Sequence, residues 1–135
     1  MLALAAVALV PAGCSRKADR CAYCGMKLDA ASPWAADLVR GDGGHVHFDT
    51  PRCALMAWRT GRVPADGISL QEFYDRTWRA GPELRFAIGS DVMGPMGTEV
   101  VPIDPARAEK FATDHHAART VGLAELTLPL LESLS

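Results

Sequence analysis

The sequence lacks features that would each point to a familiar class of protein. Its 14 basic and 16 acidic residues give a net charge of −2, so there is no basic excess for gripping nucleic-acid phosphates. No apolar run reaches the roughly 20 residues that a membrane-spanning helix needs. The Gly-rich stretch Gly41-Asp-Gly-Gly44 lacks the Lys-Ser/Thr pair of a phosphate-binding loop. We therefore expect no nucleic-acid partner, no membrane-spanning helix and no P-loop chemistry.

Sulfur is the conspicuous component of the chain. Four Cys and five Met occur in 135 residues, and several of them are close together. An apolar fraction of 49% is ordinary for a globular protein and supports one hydrophobic core. The length suits a single small domain, so the function is sought in the sulfur-rich segments.

The first 13 residues are apolar and uncharged, and they resemble the hydrophobic region of a secretory signal peptide. No basic segment precedes them, so we expect the natural leader to begin upstream of Met1. Small residues then lead to Cys14, as in the lipobox of bacterial lipoproteins, although Pro11 stands where Leu is usual. We predict a signal peptide over residues 1–13, a lipidated Cys14 with a short linker over residues 14–20, and a functional domain over residues 21–135.

The pattern of strands and helices predicts an α+β fold built from two small β-β-α units packed as a single domain. In the first unit, a β-hairpin with a Gly-rich loop precedes a helix that Thr50 caps, Pro51 opens and Gly61 ends. The second unit has a similar helix that starts at Asp104-Pro105 and runs to about His116. Its strands are expected near residues 69–74, 84–88 and 99–103, and residues 120–134 are ambiguous between strand and helix.

The sharpest local motif is Cys21-Ala-Tyr-Cys24-Gly25-Met26. Thiolate and thioether sulfurs are soft donors, and this combination suits Cu(I) better than Zn(II). Gly25 allows the backbone to turn, so that Cys24 and Met26 can face one point. The motif therefore favours a copper site, in which Cys21 is either a further ligand or a disulfide partner of Cys24.

Three alternatives remain for the same motif. Cys21 and Cys24 also have the spacing of a thioredoxin-like redox pair. In that case the protein would be a thiol-disulfide oxidoreductase. They are equally half of a structural zinc-binding module, completed by Cys53 and a histidine such as His45 or His47. A purely structural disulfide between the two cysteines is the third alternative.

Other sulfur and imidazole groups are candidate ligands or core residues. Cys53 has apolar neighbours three and four residues later on the predicted helix, which favours a small core residue. Met96 lies in a Gly- and Pro-containing segment that indicates a loop, so it is a plausible third ligand. His115 either caps the second helix or completes a three-coordinate Cu(I) site. His45 and His47 share one face of a strand, where they either chelate a metal or line a solvated surface.

No nucleophile, base and orienting group can be assembled from the sequence, so we expect a protein that is not an enzyme. The Asp residues are spread through turns and caps, where Asp normally bonds to local backbone.

Taken in order, several motifs resemble the NosL family of nitrous-oxide-reductase accessory lipoproteins. They are Cys14, then Cys21-x-x-Cys24-Gly25-Met26, Phe48-Asp49-x-x-x-Cys53, Met96-Gly97, and Ala108-x-x-Phe111-Ala112-x-x-His115. The similarity extends from about Asp19 to Leu126.

The resemblance implies a periplasmic Cu(I) metallochaperone, tethered to the membrane by a lipid anchor, on a fold of two β-β-α units. Its partners would be the nitrous oxide reductase apoprotein and the machinery that matures its copper centres. Cys24 and Met26 fall on the family signature, and Met96 would be their partner from the loop. Cys21 and His115 complete the set of candidate ligands.

Overall fold

The computed structural model describes residues 19–134, in which antiparallel sheets and short helices alternate. The strands are β1 (Ala36–Val39), β2 (His45–Phe48), β3 (Gly67–Gln71), β4 (Trp78–Ala80), β5 (Arg85–Ile88), β6 (Met93–Gly94), β7 (Gly97–Thr98), β8 (Val101–Ile103) and β9 (Arg119–Val121). The helices are α1 (Pro51–Arg59), α2 (Ala108–Asp114) and α3 (Leu128–Ser133). Short 3₁₀ turns cover Gly81–Glu83, Pro105–Arg107 and Leu123–Glu125.

Four strands form the first sheet, in the order β2-β1-β3-β4. Asp37 of β1 stands opposite His47 of β2 on one side and Ser69 of β3 on the other. Alternate residues face inward, and Leu38 and Leu70 are completely buried. The helix α1 lies against β1 and β2 and covers this inner face.

Three strands form the second sheet, in the order β8-β5-β9, and α2 packs on β5 and β9. Phe86 and Ile88 of β5 belong to the same hydrophobic core as the buried residues of the first sheet. The two sheets therefore share the main core, and Ala87, Val101, Ile103 and Phe111 form a second, smaller cluster between the second sheet and α2. The small hairpin of β6 and β7 stands apart from both sheets and carries Met93 and Met96.

The α+β class is confirmed, and β1-β2-α1 and β5-β8-α2 are the two β-β-α units. The predicted ends of α1 are also correct, because the Thr50 side chain accepts the N–H of Cys53, Pro51 opens the helix, and Gly61 follows it with a φ of +72°.

The prediction that the strand near residues 69–74 belongs to the second unit is wrong. This strand, β3, pairs with β1 in the first sheet, because Ile68 and Leu70 face the core that Leu38 occupies.

The second helix is shorter than predicted. It begins with a 3₁₀ turn and ends at Asp114, before His116 adopts a φ of +53°. The ambiguous C-terminal stretch contains both a strand, β9, and a helix, α3.

Within residues 19–134, no helix has the length and hydrophobicity required to cross a membrane. The predicted signal peptide and Cys14 lie outside the described residues.

Candidate metal site

Four potential metal ligands from three segments meet at one point of the first unit. The Sγ atoms of Cys21, Cys24 and Cys53 and a carboxylate oxygen of Asp49 all lie within 4.8 Å of one another. The thiol of Cys24 donates a hydrogen bond to Oδ1 of Asp49 at 3.4 Å. All three cysteines are free thiols, so the sulfur atoms are available to a metal ion.

The loop that carries Cys21 and Cys24 is a tight turn fastened to the edge of the first sheet. The N–H of Gly25 bonds to the carbonyl of Cys21 at 3.0 Å, and the N–H of Cys21 bonds to the carbonyl of Met26 at 2.8 Å. Gly25 has a φ of +77°, a left-handed conformation that suits glycine. The N–H of Ala22 bonds to the carbonyl of His47 at 3.1 Å, which fixes the turn beside β2.

The remaining two donors come from the junction between β2 and α1. Asp49 directly follows β2, and Cys53 lies in the first turn of α1, where its N–H bonds to Oγ1 of Thr50 at 3.1 Å. The strand, the cap and the helix therefore place Asp49 and Cys53 against the turn of the Cys-x-x-Cys motif.

The three thiols affect one another's pKa values. Cys53 donates a hydrogen bond to the sulfur of Cys21, which lowers the pKa of the Cys21 thiol to about 5. The same bond, together with burial, raises the pKa of Cys53. Burial is also the main cause of a raised pKa at Cys24. The neighbouring groups thus stabilise the thiolate of Cys21. The thiolate is the form in which cysteine binds metals.

The four donors of the cluster differ in how far they are buried. Cys21, Cys53 and Asp49 are only 3%, 6% and 7% exposed. Cys24 is half-buried and lines an open cavity of about 240 Å³ together with Cys53, Met56 and Met96. An ion held by the thiols is therefore reached from solvent past Cys24.

The two predicted thioether ligands, Met26 and Met96, both lie at the surface. Met96 is 55% exposed and lines the cavity beside Cys24 and Cys53. Met26 is 44% exposed, and its backbone bonds both to the amide of Cys21 and to the Cys24 thiol. The structure therefore brings together Cys21, Cys24 and the segment of Met96, with Met26 at the end of the same turn.

His115 lies in a different part of the molecule. It caps α2, its Nδ1 is 3.0 Å from Oδ1 of Asp91, and its ring packs against Phe111 at 4.5 Å between centroids. Phe111 belongs to the smaller of the two core clusters, whereas Cys21 and Cys53 belong to the larger one. His115 is not a member of the donor group around the thiols.

The sequence did not point to Asp49 as a candidate ligand, and it favoured a core position for Cys53 outside the zinc alternative. Cys53 is buried as predicted, yet the face of α1 that it occupies looks onto the other thiols as well as the core. A signal was present, because Thr50-Pro51 fixes the start of the helix and thus places Cys53 in its first turn, four residues after Asp49.

The fold and the donor group define a small α+β protein with a buried thiol cluster beneath exposed methionines. The sequence pattern of the NosL family matches residues 14–130, so the chain belongs to the NosL family. No curated protein matches the sequence significantly.

Among solved structures, the fold is similar to the crystal structure of the copper chaperone NosL from Shewanella denitrificans. The TM-score is 0.71, and the match covers 82% of this chain and 90% of that one. The two sequences are only 15% identical over this match, so the likeness concerns the fold.

Proposed function

We propose that the protein is a Cu(I) metallochaperone whose cargo is held by the thiol cluster. The observation that carries this proposal is the meeting of three free thiols within 4.8 Å, next to a cavity lined by Met96. Thiolates and thioethers are the ligands that select Cu(I). Membership of the NosL family and a fold similar to that of a copper chaperone support the same cargo.

The burial gradient suits transfer of the ion. Cys21 and Cys53 are buried, whereas Cys24 is half-buried and lines an open cavity together with the exposed Met96. An acceptor ligand can therefore enter from that side before Cys24 leaves the ion. Ligand exchange of this kind moves Cu(I) without a change of oxidation state and requires no catalytic turnover.

We further propose that the acceptor is the nitrous oxide reductase apoprotein with its maturation machinery, at the periplasmic face of a bacterial membrane. The family to which the chain belongs supports this acceptor. The test is anaerobic transfer from the copper-loaded protein to apo-nitrous oxide reductase, followed by separation of the two proteins and copper analysis of each. Copper is expected in the reductase fraction, and retention of all copper by the donor would rule out this acceptor.

The membrane tether in this proposal is a lipid on Cys14, after removal of residues 1–13. Its support is the apolar leader followed by small residues and a cysteine. Metabolic labelling with a radioactive fatty acid should mark the expressed full-length precursor. The label should disappear in Cys14→Ser, with Cys53→Ser as a control that keeps it.

A structural zinc module is the second candidate, since three Cys and one Asp also form a four-ligand set of the kind that Zn(II) accepts. A thiol-disulfide oxidoreductase is less well supported than either metal-binding function. Cys21 is only 3% exposed, and reactive redox thiols must be reached by their substrates.

One experiment separates these functions. The reduced protein is titrated anaerobically with Cu(I) and, separately, with Zn(II), each against a chromophoric chelator of known affinity. The proposal expects one tightly bound Cu(I) per chain and a large loss of affinity in Cys24→Ser and Cys53→Ser. Tight zinc with weak copper would favour the structural module, and reductase turnover without copper affinity would favour the oxidoreductase.

The methionines of the β6 and β7 hairpin supply a matched pair of variants. Met96 lines the cavity at the thiols, whereas Met93 is 60% exposed and its sulfur accepts from Thr98 at 4.0 Å. We expect Met96→Leu to weaken Cu(I) binding roughly tenfold, the size of effect typical for a group supporting a metal site. Met93→Leu should leave it unchanged. Equal effects of the two substitutions would show that Met96 is not a ligand.

A further inference from the structure

A second cluster of metal-ligating side chains lies on the outer face of the first sheet. Asp37 of β1 stands opposite His47 of β2, and His45 projects from the same face two residues earlier. Nδ1 of His45 lies 3.0 Å from Oδ2 of Asp37, and Nδ1 of His47 lies 2.7 Å from Oδ1. One carboxylate thus bonds to two imidazoles, each through a different oxygen.

These bonds fix the tautomer of both rings. A carboxylate only accepts hydrogen bonds, so a neutral imidazole beside it carries its proton on Nδ1 and keeps a lone pair on Nε2. A histidine held in this way by a carboxylate is the usual arrangement around protein-bound metals. Asp37 therefore prepares two nitrogen ligands at the same time.

The strand provides suitable spacing and access. Residues two apart on a strand point to one face and are about 7 Å apart, so two long imidazole side chains can reach a common ion. The side chains of His45 and His47 are 45% and 51% exposed, and β2 is the outermost strand of its sheet. Val46 and Phe48, which alternate with them, pack into the core, so the imidazoles can rotate without disturbing it.

The charge beside His47 also favours a cation. A recess of about 450 Å³ there is lined by the carboxylates of Asp19, Asp29 and Asp37 and by one basic residue, Lys27.

The geometry points to a second metal site, in which Nε2 of His45 and Nε2 of His47 chelate a Cu(II) ion while Asp37 orients both rings. Imidazole suits copper, and Cu(II) binds most tightly among the divalent first-row ions at a site of nitrogen ligands. This site differs in chemistry from the thiol cluster, because it offers two nitrogens and no sulfur. The protein would then bind copper in both oxidation states, at two separate sites.

The proposal is tested on the whole protein with its thiols filled by Ag(I), a soft ion that is silent in electron paramagnetic resonance and prevents the thiols from reducing Cu(II). Titration with Cu(II) is followed by continuous-wave and pulsed spectra. We expect one Cu(II) per chain with two coordinated imidazoles, recognised by the coupling of their remote nitrogens. Absence of imidazole coupling at an equimolar ratio would overturn the proposal.

Variants distinguish the chelate from a simple ionic contact across the hairpin. His45→Asn and His47→Asn should each reduce the Cu(II) affinity at least about tenfold and leave one coupled imidazole or none, and Asp37→Asn should weaken it by about 10- to 100-fold. His115→Asn is the matched control, since His115 also bonds to an aspartate, Asp91, but has no second ring in that contact.

Unchanged affinity in both the His45 and His47 variants, or an equal loss in His115→Asn, would refute the site. If a variant at Asp37, His45 or His47 fails to fold, the His115→Asn protein still decides, because it breaks the other pair of histidines in the sequence, His115 and His116, and should keep two coupled imidazoles. Retention of Ag(I) throughout checks the thiol site separately from the histidine site.

Discussion

The buried carboxyl group of Glu99 gives the sharpest stability prediction. Glu99 is 2% exposed and lies between the hairpin that carries Met96 and the helix that carries Cys53. Its Oε1 accepts the N–H of Arg52 at 2.8 Å and the N–H of Val100 at 3.1 Å. Burial raises its pKa to about 7, against the lowering effect of these bonds and of the Arg52 charge.

The raised pKa makes this group a source of instability at high pH. Between pH 4.5 and 7 the folded chain holds a proton on Glu99 that the unfolded chain has already released. Stability therefore falls as pH rises through this window and is constant above it, as far as this group is concerned. From the ordinary value of 4.5 to about 7, the loss amounts to about 3 kcal/mol.

Glu99→Gln removes the ionisation and retains the acceptor oxygen. The amide oxygen can take the bonds from Arg52 and Val100, and the NH₂ group can face the Thr50 hydroxyl, which also bonds to Glu99. We expect the metal-free variant to be more stable than the parent by about 3 kcal/mol at pH 8, or roughly 10 °C in Tm. The difference should nearly vanish at pH 4.5.

The assay is urea and thermal unfolding of the reduced, metal-free protein, followed by circular dichroism at both pH values. Glu72→Gln is the matched control, because both oxygens of this buried carboxylate accept backbone N–H groups: Oε1 from Asp104, and Oε2 from Tyr74 and Asp75. An amide must turn its NH₂ toward one of these donors, so the control should lose about 1–3 kcal/mol at either pH. A Glu99→Gln variant no more stable than its parent at pH 8, or equally stabilised at pH 4.5, would refute the reasoning.

Three further substitutions test the supports of the site and the core. Thr50→Ala removes the acceptor for the N–H of Cys53 and should cost about 1 kcal/mol in urea unfolding, whereas Thr50→Ser should retain most of it; equal losses would show that the cap bond is not the cause. Gly25→Ala places a side chain at a φ of +77°, so stability should drop by roughly 1–2 kcal/mol and Cu(I) affinity should fall with it, as checked by melting and chelator competition. Gly81→Ala puts a Cβ 2.5 Å from Cγ2 of Ile68, and such overpacking should cost about 1–3 kcal/mol; an unchanged Tm would mean that the core yields freely there.

Much of the local structure follows from short-range chemistry. Thr50, Pro51 and Gly61 mark the ends of α1, because a cap side chain, a fixed φ and a left-handed residue act within a few positions. The hairpin of β1 and β2 is visible for the same reason. The placement of β3 in the first sheet does not follow from short-range chemistry, because an apolar strand can pair with any free strand edge. Its partner strand depends on which core its side chains enter.

The candidate site divides in the same way. The sequence by itself determined the Cys-x-x-Cys-Gly-Met turn, since its ligands are neighbours in the chain and Gly25 permits the bend. Only the tertiary structure decided that Asp49 and Cys53 join Cys21 and Cys24. A bond from Ala22 to β2 and the packing of α1 on the first sheet bring these segments together. Contacts between residues 25 to 32 positions apart arise from burial of a common core, which spacing within a motif does not encode.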